Sequence, residues 1–240
     1  MIIYGINPVV EALRAGRVKT IRVGARADQR LRQVLALAEE RDVTVTRVPV
    51  ETLQRESRRG AHQGVVAEVD EDATYSIDEL VRGAAGPPLI VVLDGIEDPQ
   101  NFGAILRTVD AAGADGVVVQ SRRSAARDGA AAKASAGAVA HVRLAEVVNV
   151  ARAIEELKEA GVWTVGLAGD APTAYDAIDY RLPTAFVVGA EGTGLRRLVR
   201  ERCDHLACIP MRGRVGSLNV SVAVGVVLFE AVRQRTRSLD

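Results

Sequence analysis

The sequence predicts an α/β protein built around a parallel sheet, and three observations support this. Short apolar runs typical of buried strands alternate along the chain with segments of helical periodicity. Glycine-rich or polar turns follow several of these runs directly. Two such turns, at 189–194 and 211–219, stand close together in the last sixty residues. Ligands of open α/β sheets bind at the carboxyl ends of the strands, so we expect both turns to line one small-molecule pocket.

Residues 1–70 predict a small α/β domain. Asn7 followed by Pro8 is a helix-start signal, with the asparagine as N-cap and the proline at the first helical position. This helix is expected to end near Arg14, and strands and helices alternate after it. Their expected bounds are a strand at 18–23, a helix at 31–40, a strand at 43–48, a helix at 50–57 and a strand at 64–69.

Residues 71–88 indicate a linker. They continue an acidic cluster that begins at Asp70, and they end in Gly86-Pro87-Pro88, which favours irregular chain. Within this segment, 77–81 has the pattern of a short helix.

Residues 89–240 predict the larger domain. It opens with Leu89–Leu93, five consecutive apolar residues, as expected of a parallel strand buried on both faces. A helix follows at 101–112, with Gly113 as its expected C-cap. The remaining expected elements are strands at 117–119, 162–167, 185–188 and 206–209, and helices at 125–136, 151–160, 195–202 and 219–235.

Composition is ordinary for a soluble globular protein. The 240 residues are 48% hydrophobic and 26% charged, and two cysteines are too few for a disulfide framework. The sequence holds no signal peptide and no apolar run of membrane-spanning length. We therefore expect a cytoplasmic protein with no membrane partner.

Charge is balanced overall but unevenly distributed. Lys plus Arg and Asp plus Glu both number 31, whereas residues 1–69 hold 12 basic and 8 acidic side chains. Aromatic residues make up only 3%, which disfavours a stacking platform for single-stranded nucleic acid. Local positive patches suit a polyanion, although solvated surfaces explain them equally well. A second basic stretch contains Arg122, Arg123, Arg127, Lys133 and Arg143.

The first motif with chemical character runs from 94 to 107, directly after the strand at 89–93. It places Asn101 at the start of a predicted helix and Arg107 six residues later. Both are candidate functional residues at a strand end. In the alternative interpretation, Asn101 only caps the helix and Arg107 is solvated.

The second and third motifs are the two turns near the C-terminus. The turn at 189–194 lacks the spacing of a Walker A loop or of a dinucleotide fingerprint, and its Glu191 either binds a polar ligand or caps the next helix. The turn at 211–219 ends in Ser217-Leu218-Asn219, where Ser217 is a plausible N-cap. The helix that follows is so apolar that the sheet or a second subunit must cover most of it.

Two other chemistries are disfavoured. Cys203, His205 and Cys208 lie together in sequence, but no second Cys/His pair completes a four-ligand metal site. A hydrolase of the Ser/His/Asp type is equally weak, because no Gly-x-Ser-x-Gly elbow occurs.

Taken in this order, the three motifs resemble those of the SpoU (TrmH-type) RNA 2′-O-ribose methyltransferases, which belong to the knotted SPOUT superfamily. The segments Tyr4–Leu13 and His62–Gly64 are similar to the small RNA-binding domain of that family. Segments around Ile209 and Leu228 are similar to members that methylate guanosine of 23S rRNA. The resemblance covers essentially the whole chain.

The resemblance implies a C-terminal domain with a deep trefoil knot and an L30e-like N-terminal domain that binds RNA. It implies S-adenosylmethionine as the cofactor, a homodimer, no metal, and methylation of guanosine in the 23S rRNA loop that holds the P-site tRNA end. The implied cofactor-binding residues are Gly189, Gly194, Ile209, Met211 and Leu218. The implied catalytic residues are Arg107, with Asn101, Glu191, Ser217 and Asn219 around it.

Three alternatives stay open at this point. The same motifs suit methylation of tRNA or of another rRNA site. A protein of another class, an RNA-binding or ribosome-assembly factor without turnover, would keep the same fold. The bare pattern would also suit an enzyme that binds a small nucleotide, although no phosphate-binding fingerprint supports it.

Overall fold

The computed structural model describes residues 1–24, 29–58, 60–70, 74–121 and 141–236. These residues form two sheets, one of four strands from the first seventy residues and one of eight strands from the rest. The second sheet is parallel throughout, so the predicted fold class is confirmed. None of the helices in these ranges is both long enough and apolar enough to cross a membrane.

The N-terminal sheet has the strand order β1-β4-β2-β3. Its predicted helices and strands are confirmed, and a first strand that the sequence did not predict pairs antiparallel with the last. The apolar faces of the first two helices pack on one side of the sheet around Val9, Leu13 and Ile21. The elements are β1 (Ile2–Tyr4), α1 (Ile6–Arg14), β2 (Val18–Val23), α2 (Gln29–Glu40), β3 (Thr44–Arg47), α3 (Val50–Glu56) and β4 (Val65–Val69).

The predicted start of α1 is wrong. Gly5 is the N-cap, with a φ of 96°, and Asn7 lies inside the first turn. The side-chain oxygen Oε1 of Gln63 accepts the N–H of Ile6 at 3.0 Å and so replaces a capping side chain. Because this acceptor is 57 residues away in sequence, local pattern could not identify it.

The segment predicted as a linker contains two elements of the large domain. β5 (Thr74–Tyr75) is an edge strand of the eight-stranded sheet, and α4 (Ile77–Arg82) buries Ile77 and Leu80 in a core on one face of that sheet. A capping box fixes the start of α4, because Ser76 accepts the N–H of Glu79 while the Glu79 carboxylate accepts the N–H of Ser76.

The eight-stranded sheet has the order β10-β12-β9-β11-β6-β7-β8-β5. Strands β5, β8 and β10 are short and were not predicted, and the helix expected at 125–136 lies outside the described residues. The elements are β6 (Leu89–Asp94), α5 (Pro99–Ala112), β7 (Gly116–Gln120), β8 (Leu144–Val147), α6 (Val150–Glu159), β9 (Trp163–Leu167), β10 (Thr173–Ala174), β11 (Thr184–Gly189), α7 (Arg197–Arg202), β12 (His205–Cys208) and α8 (Val220–Thr236).

Helices cover both faces of this sheet, which explains the unbroken apolar run of β6. Val91 faces one core, shared with Phe102 of α5 and Val224 of α8. Val92 faces the other core, shared with Ile154 of α6 and Val199 of α7. Strands β6, β9, β11 and β12 are parallel neighbours, so their carboxyl ends lie at the same edge of the sheet and the loops that follow them lie together.

Candidate active site

A cleft of about 530 Å³ opens at this edge of the sheet, a volume suited to a small-molecule ligand. The turn at 189–194 lines it together with residues 207–211 and 216–218, so the prediction that the two turns share one pocket is confirmed. Two expected polar-wall residues, Glu191 and Ser217, also face this cleft. The five residues expected to bind a cofactor all line it, namely Gly189, Gly194, Ile209, Met211 and Leu218.

Gly189 is the most constrained residue of the cleft. A Cβ added to it would lie 2.1 Å from the carbonyl carbon of Gly194 and 2.3 Å from the nitrogen of Leu195. The loop folds back this closely because the N–H of Gly194 donates to the carbonyl of Ala190 at 2.8 Å. Gly194 itself has a φ of +66°, which favours glycine. The wall of the cleft is consequently backbone rather than side chain at this point.

Beside the cleft, one residue of each predicted motif joins a hydrogen-bonded cluster. Asn101 Nδ2 donates to Glu191 Oε2 at 3.1 Å, and Asn219 Nδ2 donates to Asn101 Oδ1 at 2.9 Å. Asn101 is thus held from both sides by partners 90 and 118 residues away in sequence. We call Asn101, Glu191 and Asn219 the polar cluster.

The residues that cap α5 and α8 are not the ones that the sequence predicted. Asp98 caps α5 by accepting the N–H of Asn101 at 2.9 Å, so the interpretation that Asn101 only caps the helix is wrong. At the start of α8, Asn219 Oδ1 accepts the N–H of Ser221 at 3.0 Å, and the proposed N-cap role of Ser217 is also wrong. Asn219 therefore both caps α8 and belongs to the polar cluster.

Arg107 lies apart from the polar cluster. It is six residues beyond Asn101 on α5, a rotation of about 240° around the helix, and its side chain is exposed. Within the described ranges the guanidinium has no hydrogen-bond or ion-pair partner, so the expected contact with Asn101 or Asn219 is absent. Arg107 presents a free positive charge to solvent.

Two ion pairs at the cleft were not predicted. Asp94 is fully buried, lies beside Gly189 in the neighbouring strand and pairs with Arg196. It therefore contacts the chain at both ends of the 189–196 segment. At the rim, Arg200 makes a bidentate pair with Asp170 at 2.9 and 3.0 Å, which holds the pKa of Asp170 below its usual value. Asp94 could have been identified from sequence, because it directly follows a buried apolar strand. Arg196 and Arg200 could not have been identified from sequence, since they lie in a segment that contains several other charged residues.

The cysteine-rich segment has a structural role. The Cys203 thiol donates to the carbonyl of Val199 at 3.3 Å, and burial raises its pKa to about 12. Cys208 lies at the end of β12 and lines the cleft. Among the residues that the structure describes, no group of three or more His, Cys, Asp or Glu side chains is arranged to hold a metal ion.

Three basic side chains of the first domain, Arg14, Lys19 and Arg22, are paired with carboxylates. Arg22 bridges Glu56 and Glu68 at 3.3 Å, and Lys19 meets Asp70 at 3.1 Å. Both pairs are within the same domain, so carboxylates of that domain already neutralise these two cations locally. Most of the second basic stretch lies outside the described residues, apart from Arg143, whose guanidinium donates to the carbonyl of Gly83 at 2.9 Å.

Comparison with known proteins assigns the family. Residues 88–229 match the SpoU rRNA Methylase family, and residues 2–75 match the domain described as RNA 2′-O ribose methyltransferase substrate binding. The chain belongs to the SpoU rRNA methylase family. It is 45% identical to the 23S rRNA (guanosine-2′-O-)-methyltransferase RlmB of Pseudomonas syringae pv. tomato, over 98% of this chain and 96% of that protein.

Solved structures of SpoU methyltransferases share the whole fold. The AviRb methyltransferase from Streptomyces viridochromogenes, in complex with AdoMet, matches with a TM-score of 0.83 and 26% identity, over 99% of this chain and 91% of that one. An AdoMet-bound rRNA methyltransferase from Sinorhizobium meliloti matches with a TM-score of 0.79 and 30% identity, over 97% and 86%. Both domains of this SpoU chain are covered by these matches.

Proposed function

We propose that the protein transfers a methyl group from S-adenosylmethionine to the 2′-hydroxyl of a guanosine ribose in 23S rRNA. The observation that carries this proposal is the polar cluster, which joins all three motifs of a SpoU methylase and shares Glu191 with the cleft. The near full-length similarity to a 23S rRNA guanosine methyltransferase supports the substrate. An rRNA substrate implies action in the cytoplasm. The family resemblance suggests that the target guanosine lies in the loop that holds the P-site tRNA end.

The cleft fits S-adenosylmethionine in size and in chemistry. Ile209, Met211 and Leu218 offer apolar surface for a purine ring, and the glycine turn at 189–194 lets backbone groups approach a ribose closely. The carboxylate of Glu191 suits the positive charges of the ligand. When bound, S-adenosylmethionine supplies an electrophilic methyl group. These residues would hold the cofactor, largely through backbone groups.

The polar cluster would position the acceptor ribose. Asn101 is held by Glu191 and by Asn219, and Asn219 is held in turn by the N–H of Ser221, so both amides are oriented before RNA binds. Preorganised groups of this kind raise the rate by fixing the reacting atoms in line. Ser217, which lines the cleft and has no hydrogen-bond partner among the described residues, would complete this polar wall.

Arg107 would act on the RNA by charge. A guanidinium has a pKa above ~12 and is a poor base, so we assign Arg107 to holding the phosphate and stabilising the oxygen that loses its proton. Arg107 is exposed and has no hydrogen-bond or ion-pair partner among the described residues, which supports this role because the charge is available to a polyanion.

We also propose a homodimer and the trefoil knot of the SPOUT superfamily. One face of α8 packs against α5, while Val222 and Phe229, seven residues apart on another face, are each 50% exposed. Apolar residues exposed together on one helix face favour a second subunit as their cover. Light scattering of wild type and Phe229→Glu tests the homodimer, because a charge at this position would convert a dimer to a monomer.

The proposed reaction is tested by transfer of labelled methyl from S-adenosylmethionine to unmodified 23S rRNA and tRNA, followed by nuclease digestion. We expect label at the 2′-oxygen of one guanosine of 23S rRNA. Label in tRNA would keep the chemistry and reject the substrate. No label on either RNA, with cofactor still bound in calorimetry, would reject the enzyme and favour an RNA-binding factor.

A further inference from the structure

Within the part of the chain that the structure describes, one residue, Arg196, binds the buried carboxylate of Asp94. Asp94 lies at the end of β6 with its side chain 0% exposed, and a buried charge is stable only when paired and hydrogen-bonded. The backbone N–H of Arg196 donates to Oδ2 at 2.9 Å, and Arg196 Nε donates to Oδ1 at 2.6 Å. Arg196 is therefore fixed to Asp94 by both its backbone and its guanidinium. We call this pair the Asp94–Arg196 clamp.

The clamp closes the loop that carries Glu191. At the start of the loop, Gly189 pairs with Asp94 in the register of β11 and β6. At its end, the Arg196 backbone is bonded to the same aspartate. Between these points, Ala190 and Gly194 form a bridge across the loop. Glu191 follows Ala190 directly, so its position depends on these contacts at the two ends of the loop.

The guanidinium is oriented from a second side as well. Arg196 Nη2 donates to Gln120 Oε1 at 3.2 Å, and Gln120 Nε2 donates to the carbonyl of Val148 at 3.1 Å. The clamp thereby ties the loop to β6 and also to the end of β7. Arg196 makes no contact with the polar cluster itself, so it would act on Asn101 only through Glu191.

We propose that Arg196 is a positioning residue, whose ion pair with Asp94 fixes the 190–195 loop so that Glu191 meets Asn101. This inference rests on the proposed methyl transfer and adds a residue to its machinery. A lysine in its place would keep the backbone bond to Asp94 and one positive charge, but would lose the fork that reaches Asp94 and Gln120 together. Asp94 stays paired in Arg196→Lys, so the variant is expected to fold.

The experiment is a double-mutant cycle of Arg196→Lys and Glu191→Gln, with kcat and KM for RNA measured for each variant. Displacement of a catalytic group by about 1 Å costs up to about 100-fold, so we expect kcat of Arg196→Lys to fall at least about tenfold. If Arg196 acts through Glu191, the lysine substitution should have little further effect in the Glu191→Gln background. Arg197→Lys is the matched control, because the Arg197 side chain is 90% exposed and pairs with Glu201 at 3.5 Å, one helical turn away.

Two results would overturn the proposal. One is an unchanged kcat in Arg196→Lys, and the other is a pair of effects that simply multiply in the double variant. Hydrogen exchange of the peptide covering 189–196 is measured alongside, and faster exchange in Arg196→Lys than in Arg197→Lys is expected because the bridge loosens. If wild type transfers no methyl group, the proposed function fails, and this exchange result alone decides whether the clamp orders the loop.

Discussion

The cleft and the polar cluster lie side by side but are built by opposite means. The cleft is shaped by backbone, at Gly189 above all, where no side chain atom has room. The polar cluster is made entirely by side-chain amides and a carboxylate, at 2.9 and 3.1 Å. The two share only Glu191.

This difference separates binding from turnover. Substitution of Asn101 should leave the backbone of the cleft in place, because the two hydrogen bonds of its side chain go to the side chains of Glu191 and Asn219. Substitutions that displace the backbone at Gly189 should damage both, because the same loop carries Glu191. The predictions that follow test this separation.

The largest effect is expected for Gly189→Ala. The new methyl group would lie 2.1 Å from the carbonyl carbon of Gly194, so the loop must move and both cofactor binding and methyl transfer should be lost. Calorimetry with S-adenosylhomocysteine and the methyl-transfer assay measure the two effects. Gly216→Ala is the matched control, because Gly216 lines the same cleft with open space around it. Retained binding in Gly189→Ala would contradict a backbone-built cleft.

A large effect on turnover alone is expected for Arg107→Ala. Loss of one group that stabilises developing charge costs about 100- to 1000-fold in kcat. The affinity for S-adenosylhomocysteine should not change, since Arg107 is absent from the lining of the cleft. Asp110→Ala alters another exposed residue of α5 and serves as the control. An equal loss of cofactor affinity in Arg107→Ala would show that the two regions are not separable.

A smaller effect is expected for Asn101→Ala. The substitution removes the amide that the polar cluster holds in place for the acceptor ribose, and because a misplacement of about 1 Å costs up to about 100-fold, we expect kcat to fall about tenfold. Asp98 still caps α5, so the melting temperature should change little. Unfolding at a much lower temperature than wild type would indicate that Asn101 supports the fold rather than the reaction.

The smallest effect is expected for the labelling rate of the two cysteines in the wild-type protein, which tests where the ligand binds. Cys208 lines the cleft and should react with a maleimide at pH 8, more slowly when S-adenosylhomocysteine is bound. Burial raises the pKa of Cys203 to about 12, so its thiol stays protonated and unreactive until the pH approaches that value. Mass spectrometry of the labelled peptides separates the two sites. Equal labelling of Cys208 with and without ligand would place the ligand elsewhere.

Strong local signals predicted most of the fold. Gly113 ends α5 in the left-handed conformation that the sequence indicated, at a φ of 66°. Buried runs such as β6 and β11 were recognisable because they are apolar on both faces. The strands that were missed, such as β5 and β10, have only two residues each and exist because a neighbouring strand offers a free edge.

The sequence by itself determined the fold class, the family and the segments that line the cleft, because each depends on residues close together in the chain. Tertiary structure decided how those segments use their side chains. Asn101 had a local interpretation as a cap, whereas the cap is Asp98, three residues earlier in the chain. Only the fold brings Asn101 to Glu191 and Asn219. It also placed Arg196 on Asp94, 102 residues away. Hydrogen bonds and ion pairs are short-ranged, so their partners are fixed only when the sheet edge brings distant loops within about 3 Å of one another.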